Sequence, residues 1–457
     1  MLEHTQRLLA CLALAAFGAA GPARAATDLL AVMQLAEASD PQYLEAQSNT
    51  RAVGEGIPQA KALLWRPQLS FGVDASRVEQ DITSATRSAF GAGGQIGFDQ
   101  WDYRLAVTQP VFHYDRYVQL QEADKRVKQA QYAEDAARQA LLVRASERYF
   151  NVLAAEDDLA FARAEKESLK GQLEQAQQRF QVGLVAITDV QEAQAGFDRA
   201  VASEIQARNQ LDNAGEELRE TAGSYIPQLV PLRDEIPLVV PNPADVEAWT
   251  ETSLTQNLDL ASARIAAEIA AEEIHNQYAG HLPTLDIVGG HGESSTGGRF
   301  GQTDVEQSDI GVNLNIPLYA GGLVTSRVRQ AQHQHTGALD RLEQSKRAVY
   351  RQAHEAYLGV VTQISSVQAL KQAVVSSQTA LESTRAGYEA GTRTAVDVVT
   401  AERGLSQAKR DYARARYDYV LNVLRLKQAA GTLGPEDIQL ANSWLQSSAT
   451  APATTPR

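Results

Sequence analysis

The sequence predicts an α+β membrane protein built from two copies of one unit, each joining very long helices to a pair of short strands. Three observations carry this. Arg179–Ala195 reappears in outline at Gly387–Arg403, with Phe180 on Tyr388, Gly183 on Gly391 and Asp189 on Asp397, each 208 positions apart. Ahead of that match, Arg66-Pro67-Gln68-Leu69 answers Leu282-Pro283-Thr284-Leu285, and Gln109-Pro110-Val111-Phe112 answers Ile316-Pro317-Leu318-Tyr319. Finally, Tyr114–Gln181 and Leu323–Glu389 run for 68 and 67 residues without a proline. At 1.5 Å per residue each reads as a helix of roughly 100 Å, far longer than a globular domain needs.

From the N-terminus, Arg7 precedes the apolar run Leu8–Phe17, and Ala23-Arg24-Ala25 is a small-x-small cleavage site, so residues 1–25 are expected to be a signal peptide. The only cysteine, Cys11, falls inside that segment, which leaves the exported chain without thiol chemistry. The formal charge is −14; residues 1–25 contribute +1, so the remainder carries −15. That charge argues against nucleic acid as a partner. No later stretch is apolar for long enough to make a membrane helix, so a membrane could be entered only with strands.

Asp28–Leu64 reads as a helix interrupted near Asp40-Pro41. Pro67 ends it, and Leu69, Phe71 and Val73 then alternate with Ser70, Gly72 and Asp74. Arg77–Phe98 is polar and glycine-rich, hence a predicted loop, before Tyr103, Leu105 and Val107 alternate again. The second copy repeats this with Leu285 and Ile287, a predicted loop through Gly289–Gln307, and Ile310, Val312, Leu314 and Ile316. Period two with one apolar face suits barrel strands, apolar outward and polar inward. Trp65, Trp101 and Tyr103 fit an aromatic girdle at a membrane interface. In the long helices, Leu159, Ala162, Leu169, Leu173, Ala176 and Phe180 follow a 3/4 spacing broken only by Lys166, and Leu405, Ala408, Tyr412, Ala415, Tyr419, Asn422 and Leu426 do the same. That is a coiled-coil seam with small residues for close approach.

The shorter helices are expected at Asp28–Leu64, Thr188–Gly223, Ala244–Gly280 and Arg393–Ala430, each about half a long one, so two laid end to end match one long helix. The chain therefore divides into a signal peptide (1–25), a first repeat (26–224; strands 67–77 and 101–110, tip turn 181–187), a linker or equatorial segment with five prolines (225–243), a second repeat (244–430; strands 283–292 and 309–318, tip turn 389–393), an irregular equatorial segment (431–445) and a disordered tail (446–457). Four strands cannot close a barrel, and an open sheet edge is not tolerated in lipid. Closure requires several chains, whose natural arrangement is a ring enclosing a polar lumen.

Arg179–Val190, Gly280–Asp286, Leu370–Ser376 and Gly391–Val398 resemble, at length, the TolC family of trimeric outer-membrane channel-tunnels, and the resemblance runs from about Asp28 to Leu445. It implies a homotrimer whose twelve-stranded barrel, four strands per chain, sits in the outer membrane of a Gram-negative bacterium and continues as a helical tunnel into the periplasm. The function implied is a passive exit duct for type I protein secretion or multidrug efflux. Its implied partners are outer-membrane lipid, a periplasmic adaptor (membrane fusion protein) and an inner-membrane ABC or proton-driven exporter. No cofactor, catalytic site or metal is expected. The rival reading is a barrel-anchored coiled-coil adhesin or structural fibre, which predicts a large passenger and no duplication.

At the turns, Gly183 and Gly391 stand where a left-handed residue stops a helix. Thr188-x-x-Gln191 reads as a capping box, and Thr394-x-x-Asp397 as a weaker one. The copies differ in that Phe180, Val185 and Asp189 face Tyr388, Arg393 and Asp397. By the resemblance, Tyr388 and Arg393 bond to Asp189 and Thr188 within and between chains and latch the tip; solvated pairs of this kind are worth about 0–1 kcal/mol each. Asp397 would form a carboxylate ring at the constriction, with the family's second acidic ring replaced by Thr400. Val182, Gly183, Leu184, Ala390, Gly391 and Thr392 match the tip turns that receive the adaptor. Glu156-Asp157-Asp158 and Glu272-Glu273 read as helix-surface charges, His333 and His335 as solvated residues, and Gly91–Gly97 as a surface loop rather than a nucleotide site.

Overall fold

The computed structural model describes residues 26–82, 94–298 and 301–446. The expected signal peptide and the tail from residue 447 lie outside the described residues, as do the tips of both strand-connecting loops. In chain order the elements are α1 (Leu29–Ser39), α2 (Pro41–Gly54), α3 (Gly56–Trp65), β1 (Gln68–Ile82), β2 (Gly94–Phe112), α4 (Tyr114–Gln181), α5 (Ile187–Ala222), α6 (Val246–Gln256), α7 (Leu258–Tyr278), β3 (Thr284–Thr296), β4 (Thr303–Asn315), α8 (Leu323–Glu389), α9 (Ala395–Ala429) and α10 (Pro435–Ser443). The two long helices stand where the proline-free spans placed them.

The first expected helix is interrupted near Asp40 as read, and the expected helix Ala244–Gly280 is broken as well. Asp40 separates α1 from α2, its buried carboxylate accepting from the Tyr43 N–H at 2.8 Å and from Arg144 at 2.7 Å. Asn257 separates α6 from α7 in the same way, capping through Leu260 N–H at 3.0 Å. Each break follows an 11-residue helix, so the repeat extends to these caps. The equatorial segment 431–445 was expected to be irregular, yet it contains α10. Pro435 at its first position and the Gly434 N–H donating to Asp437 at 2.9 Å start that helix.

The chain divides into two compact units. One comprises residues 45–137 and 250–352 and holds a single antiparallel sheet in the order β1-β2-β3-β4. Residues paired across strands share a face. Leu69, Phe71, Val73, Leu105, Val107, Ile287, Ile310, Val312 and Leu314 lie on one face, and Ser70, Gly72, Arg104, Ala106, Gly290, Gly292 and Asp309 on the other. The apolar face is open, with Ile310 86 % and Phe71 67 % exposed. Trp101 stacks on Tyr103 on that face, and Trp65 is exposed rather than packed in a core.

At their loop ends the strands run well past the predicted bounds, through much of both expected loops, whereas β4 stops at Asn315, short of the expected 318. Beyond Ser76 the alternation inverts. Val78 pairs with Phe98 and Gln80 with Ile96 on the formerly polar face, while Arg77–Asp99 and Glu79–Gly97 occupy the other. Backbone ladders continue there without an apolar outer stripe, so a search for one constant apolar face stops short. On the polar face, Arg104 reaches across β3 to Asp309, its Nη2 at 2.8 and 3.1 Å from the two carboxylate oxygens. A Cβ at Gly290 would lie 2.5 Å from that nitrogen, so the guanidinium rests on a glycine floor.

The second unit comprises residues 26–44, 138–249 and 353–446. Leu29, Val32, Ala36, Leu141, Tyr149, Phe150, Val420 and Leu424 are among its most deeply buried side chains. The proline-rich linker is pinned between the first and last described segments: Thr27 bridges to Leu229, and Leu232 to Leu445. Tyr149 donates its hydroxyl to the Val230 carbonyl at 2.7 Å.

The acidic pairs read as surface charges are half-buried instead. Asp157 accepts from the Tyr417 hydroxyl at 2.7 Å, and burial beside Asp157 pushes Glu156 up to about 7. In the sheet unit, Glu122 on α4 is 3 % exposed and one of its oxygens has no hydrogen-bond partner among the described residues. Burial, and then the neighbouring Glu273, push its pKa up to about 7 against the attraction of Arg126. Burial also works on Glu273, but donors from Asn276 at 3.0 Å and Gln277 at 2.6 Å hold it below its ordinary value.

A raised carboxyl pKa favours the native state below the unfolded value near 4.5 and loses that advantage as pH rises through about 7. Thermal dissociation followed from pH 5 to 8 should therefore show Glu122→Gln gaining on the native chain as pH increases, with little difference at pH 5.

Candidate functional site at the hairpin turns

The turn between α4 and α5 and the turn between α8 and α9 have one geometry. Leu184 N–H bonds to Arg179 C=O at 2.9 Å and Gly183 N–H to Phe180 C=O at 3.0 Å; Thr392 to Gly387 and Gly391 to Tyr388 repeat this at 2.9 and 3.1 Å. Gly183 and Gly391, at φ 77° and 74°, supply the left-handed residue that this paired helix stop requires.

The helix starts that follow are not alike. α9 carries a complete capping box: Thr394 hydroxyl and N–H both donate to Asp397 Oδ2 at 2.9 Å, and Asp397 N–H donates back to the hydroxyl at 3.3 Å. At α5 the cap residue is Ala186, which has no side-chain oxygen, so no capping box forms. The expected Thr188 box is thus absent and the supposedly weaker box is the intact one. The 208-residue offset places Ala186, not Thr188, opposite Thr394. Asp189 consequently keeps a carboxylate free of cap duty. Asp397 is held below the usual carboxylate range, first by the Thr394 N–H, then by its hydroxyl and by nearby Arg393.

Among the described residues, no hydrogen bond or ion pair within one chain joins Tyr388 or Arg393 to Thr188 or Asp189. Tyr388 is half-buried, with the Arg179 guanidinium 5.0 Å from its ring centre, a contact from the first copy to the second. Arg393 is exposed and folds its stem over Gly387, where a Cβ would lie 2.7 Å from its Cγ. Val182 and Leu184 are 69 % and 72 % exposed at the first turn. Ala390, Gly391 and Thr392 are exposed at the second. Thr400 returns its hydroxyl to Val396 C=O at 2.8 Å.

Above the turns, small side chains let the helices approach. Leu173 and Ala176 pack on Ala193, and Leu381 on Val398 and Leu405. Leu169 and Ala200 meet Val399 of the other copy. Buried carboxylates tie the copies together. Glu402 accepts from Arg385 at 2.8 Å and from Gln172 at 2.9 Å, and Glu165 faces Arg410 at 3.5 Å. The break in the seam at Lys166 is an ion pair with Glu204 at 2.8 Å. Sequence reading missed these ties, although Glu402 stands at a seam position, four residues after Val398 and three before Leu405. A cavity of about 230 Å³ remains between the hairpins, bordered by Gln172, Ala193, Arg385, Tyr388 and Val398.

A family model described as "Outer membrane efflux protein" matches residues 32–224 and 249–432, one segment per repeat. The chain is 37 % identical over 433 residues to outer membrane protein TolC of Escherichia coli strain K12, covering 92 % of this chain and 85 % of that one. It is 31 % identical over 422 residues to alkaline protease secretion protein AprF of Pseudomonas aeruginosa, covering 91 % and 86 %. Among solved structures, the CmeC outer membrane channel of Campylobacter jejuni superposes with a TM-score of 0.75 at 16 % identity, covering 92 % of this chain and 90 % of that one. On the matched repeats and this depth of identity, the chain belongs to the outer membrane efflux protein family.

Proposed function

We propose that three copies of the chain close a twelve-stranded barrel in the outer membrane and form a passive exit duct for protein secretion or efflux. The carrying observation is the sheet itself: one face is an exposed apolar stripe, and the outer edges of β1 and β4 find no partner strand among the described residues. Lipid accepts the stripe but not the edges. The duct draws its energy from an inner-membrane exporter, reached through a periplasmic adaptor that docks on the exposed turns at Val182–Leu184 and Ala390–Thr392.

In this reading the turns are a gate. Asp189, left uncapped, supplies the carboxylate that Tyr388 and Arg393 of the second copy's turn engage, with Thr188 beside it. Solvent-exposed links of this kind are individually weak, so adaptor binding opens them. Asp397 lines the constriction and remains ionised because Thr394 holds its proton affinity down, which opposes the mutual repulsion of three carboxylates.

Three measurements in planar bilayers test this. Tyr388→Phe combined with Arg393→Ser should raise single-channel conductance severalfold, and an unchanged conductance would remove the latch. Thr394→Ala should move upward the pH at which cation preference fades; an unmoved profile would separate Asp397 from selectivity. Thr400→Asp should tighten block by a trivalent cation at least tenfold, and no change would take position 400 out of the pore.

A further inference from the structure

The apolar stripe of the sheet has ends of opposite charge. At its loop end the same face carries Asp99, Glu293, Asp304 and Glu306 against Arg77, the one Lys or Arg there among the described strand residues. At its helix end the acids stop. Residues 56–73, which lead from α3 into β1, and residues 310–339, which lead from β4 into α8, contain Lys61, Arg66, Arg327 and Arg329 but no Asp or Glu. In a chain of net charge −14 that is a local reversal of sign.

Arg66 stands just before β1, Lys61 in the last turns of α3, and Arg327 and Arg329 in the second turn of α8. The three on helices therefore lie within roughly 10 Å of the helix ends that adjoin the sheet. All four are exposed, and none has an ion pair or a side-chain hydrogen bond among the described residues. Arg116, by contrast, donates to the Leu63 carbonyl at 2.7 Å. Trp65, Tyr117 and Tyr278 mark three of the four strand–helix junctions and are 64 %, 48 % and 52 % exposed. Exposed Trp and Tyr beside an apolar band mark the depth of a membrane–water interface. Lys and Arg at that depth lay their stems on apolar surface and carry their charge to the headgroups.

We infer that the helix end of the barrel is a docking ring for acidic phospholipid headgroups in the leaflet on the helix side, with Lys61, Arg66, Arg327 and Arg329 as its cations. A zwitterionic headgroup would leave these charges uncompensated, whereas an anionic one matches them, and the arginine fork suits a phosphate in particular. A free phosphate ion lacks the acyl chains that the adjacent apolar stripe covers, so the occupant is a lipid. The α3–β1 and β4–α8 connections belong to the two outer strands of the sheet, so closing the barrel gathers cations from both edges. The acidic loop end offers no such match. This inference rests on the trimeric reading above and adds a lipid class to it.

Retained lipid tests the ring. The full-length chain is reconstituted into phosphatidylcholine vesicles, alone or with a quarter of the lipid replaced by phosphatidylglycerol, and then extracted in mild detergent. Bound lipid is quantified by mass spectrometry, insertion by vesicle flotation and subunit number by light scattering. From the mixed vesicles, bound lipid should be enriched in phosphatidylglycerol about fivefold over the bulk ratio. Arg66→Gln, Arg327→Gln and Arg329→Gln together should bring it near the bulk ratio, whereas Arg66→Lys, Arg327→Lys and Arg329→Lys together should preserve the enrichment. Arg341→Gln, roughly 27 Å along α8 from its start, should leave it unchanged. Absent enrichment, or enrichment that survives the glutamine changes, would overturn the lipid assignment and leave the duct standing. Loss of the trimer by the glutamine variant in both kinds of vesicle would assign the cations to a subunit contact and overturn it too. A native chain that inserts into neither vesicle, or stays monomeric, would overturn the ring and the trimeric duct together.

Discussion

Every backbone amide and carbonyl in a bilayer must find a partner in protein, and the rest of this molecule follows from that constraint. The four strands satisfy it internally across three ladders and leave two edges unsatisfied. An aqueous protein could blunt such edges with charge or proline. Here the exposed apolar stripe commits the sheet to lipid, where only closure serves. The helices carry the complementary requirement. α4 and α8 begin close behind β2 and β4, so an arrangement that closes the sheet also brings long helices side by side. Their seams of alanine, leucine and glycine suit close packing better than exposure.

Duplication supplies the asymmetry that the proposed gate needs. Both turns stop their helices with the same glycine and the same pair of hydrogen bonds, so the scaffold is common. The difference lies in the next residues. Thr394 engages Asp397 and locks the start of α9, whereas Ala186 leaves Asp189 uncommitted. One copy thus contributes a rigid hairpin bearing Tyr388 and Arg393, and the other a carboxylate available to them. The ties through Glu402 and Glu165 hold the copies together above the turns, in the region where a cavity still permits adjustment.

Much of this was legible in the sequence, because long period-3.5 seams, proline-free spans and repeated turns are strong signals. The two long helices and both glycine stops stand where the pattern put them. Strand ends were less legible, since beyond Ser76 the ladder persists while the apolar face changes sides. The helix break at Asp40 was legible from the Asp40-Pro41 pair, whereas the break at Asn257 depended on a buried cap, which is a tertiary fact. The Thr188 capping box was misplaced by local motif matching, although the repeat offset already indicated Ala186. Half-buried carboxylates such as Glu156 and Asp157 looked like solvated charge, because adjacent acids on a helix carry no mark of what packs over them. The proposed latch residues were named by resemblance alone, and a single chain does not bring them into contact.

The guanidinium of Arg104 has a wider meaning for traffic through the duct. Aspartates at positions 74, 102, 286 and 309 share its side of the sheet, where it is the sole arginine or lysine among the described strand residues. Folded flat onto glycine and neutralised by Asp309, it offers passing cargo neither a protruding obstacle nor an unmatched positive hook. In the proposed duct such a wall carries more negative than positive charge and leaves no unmatched cation to hold an anionic solute.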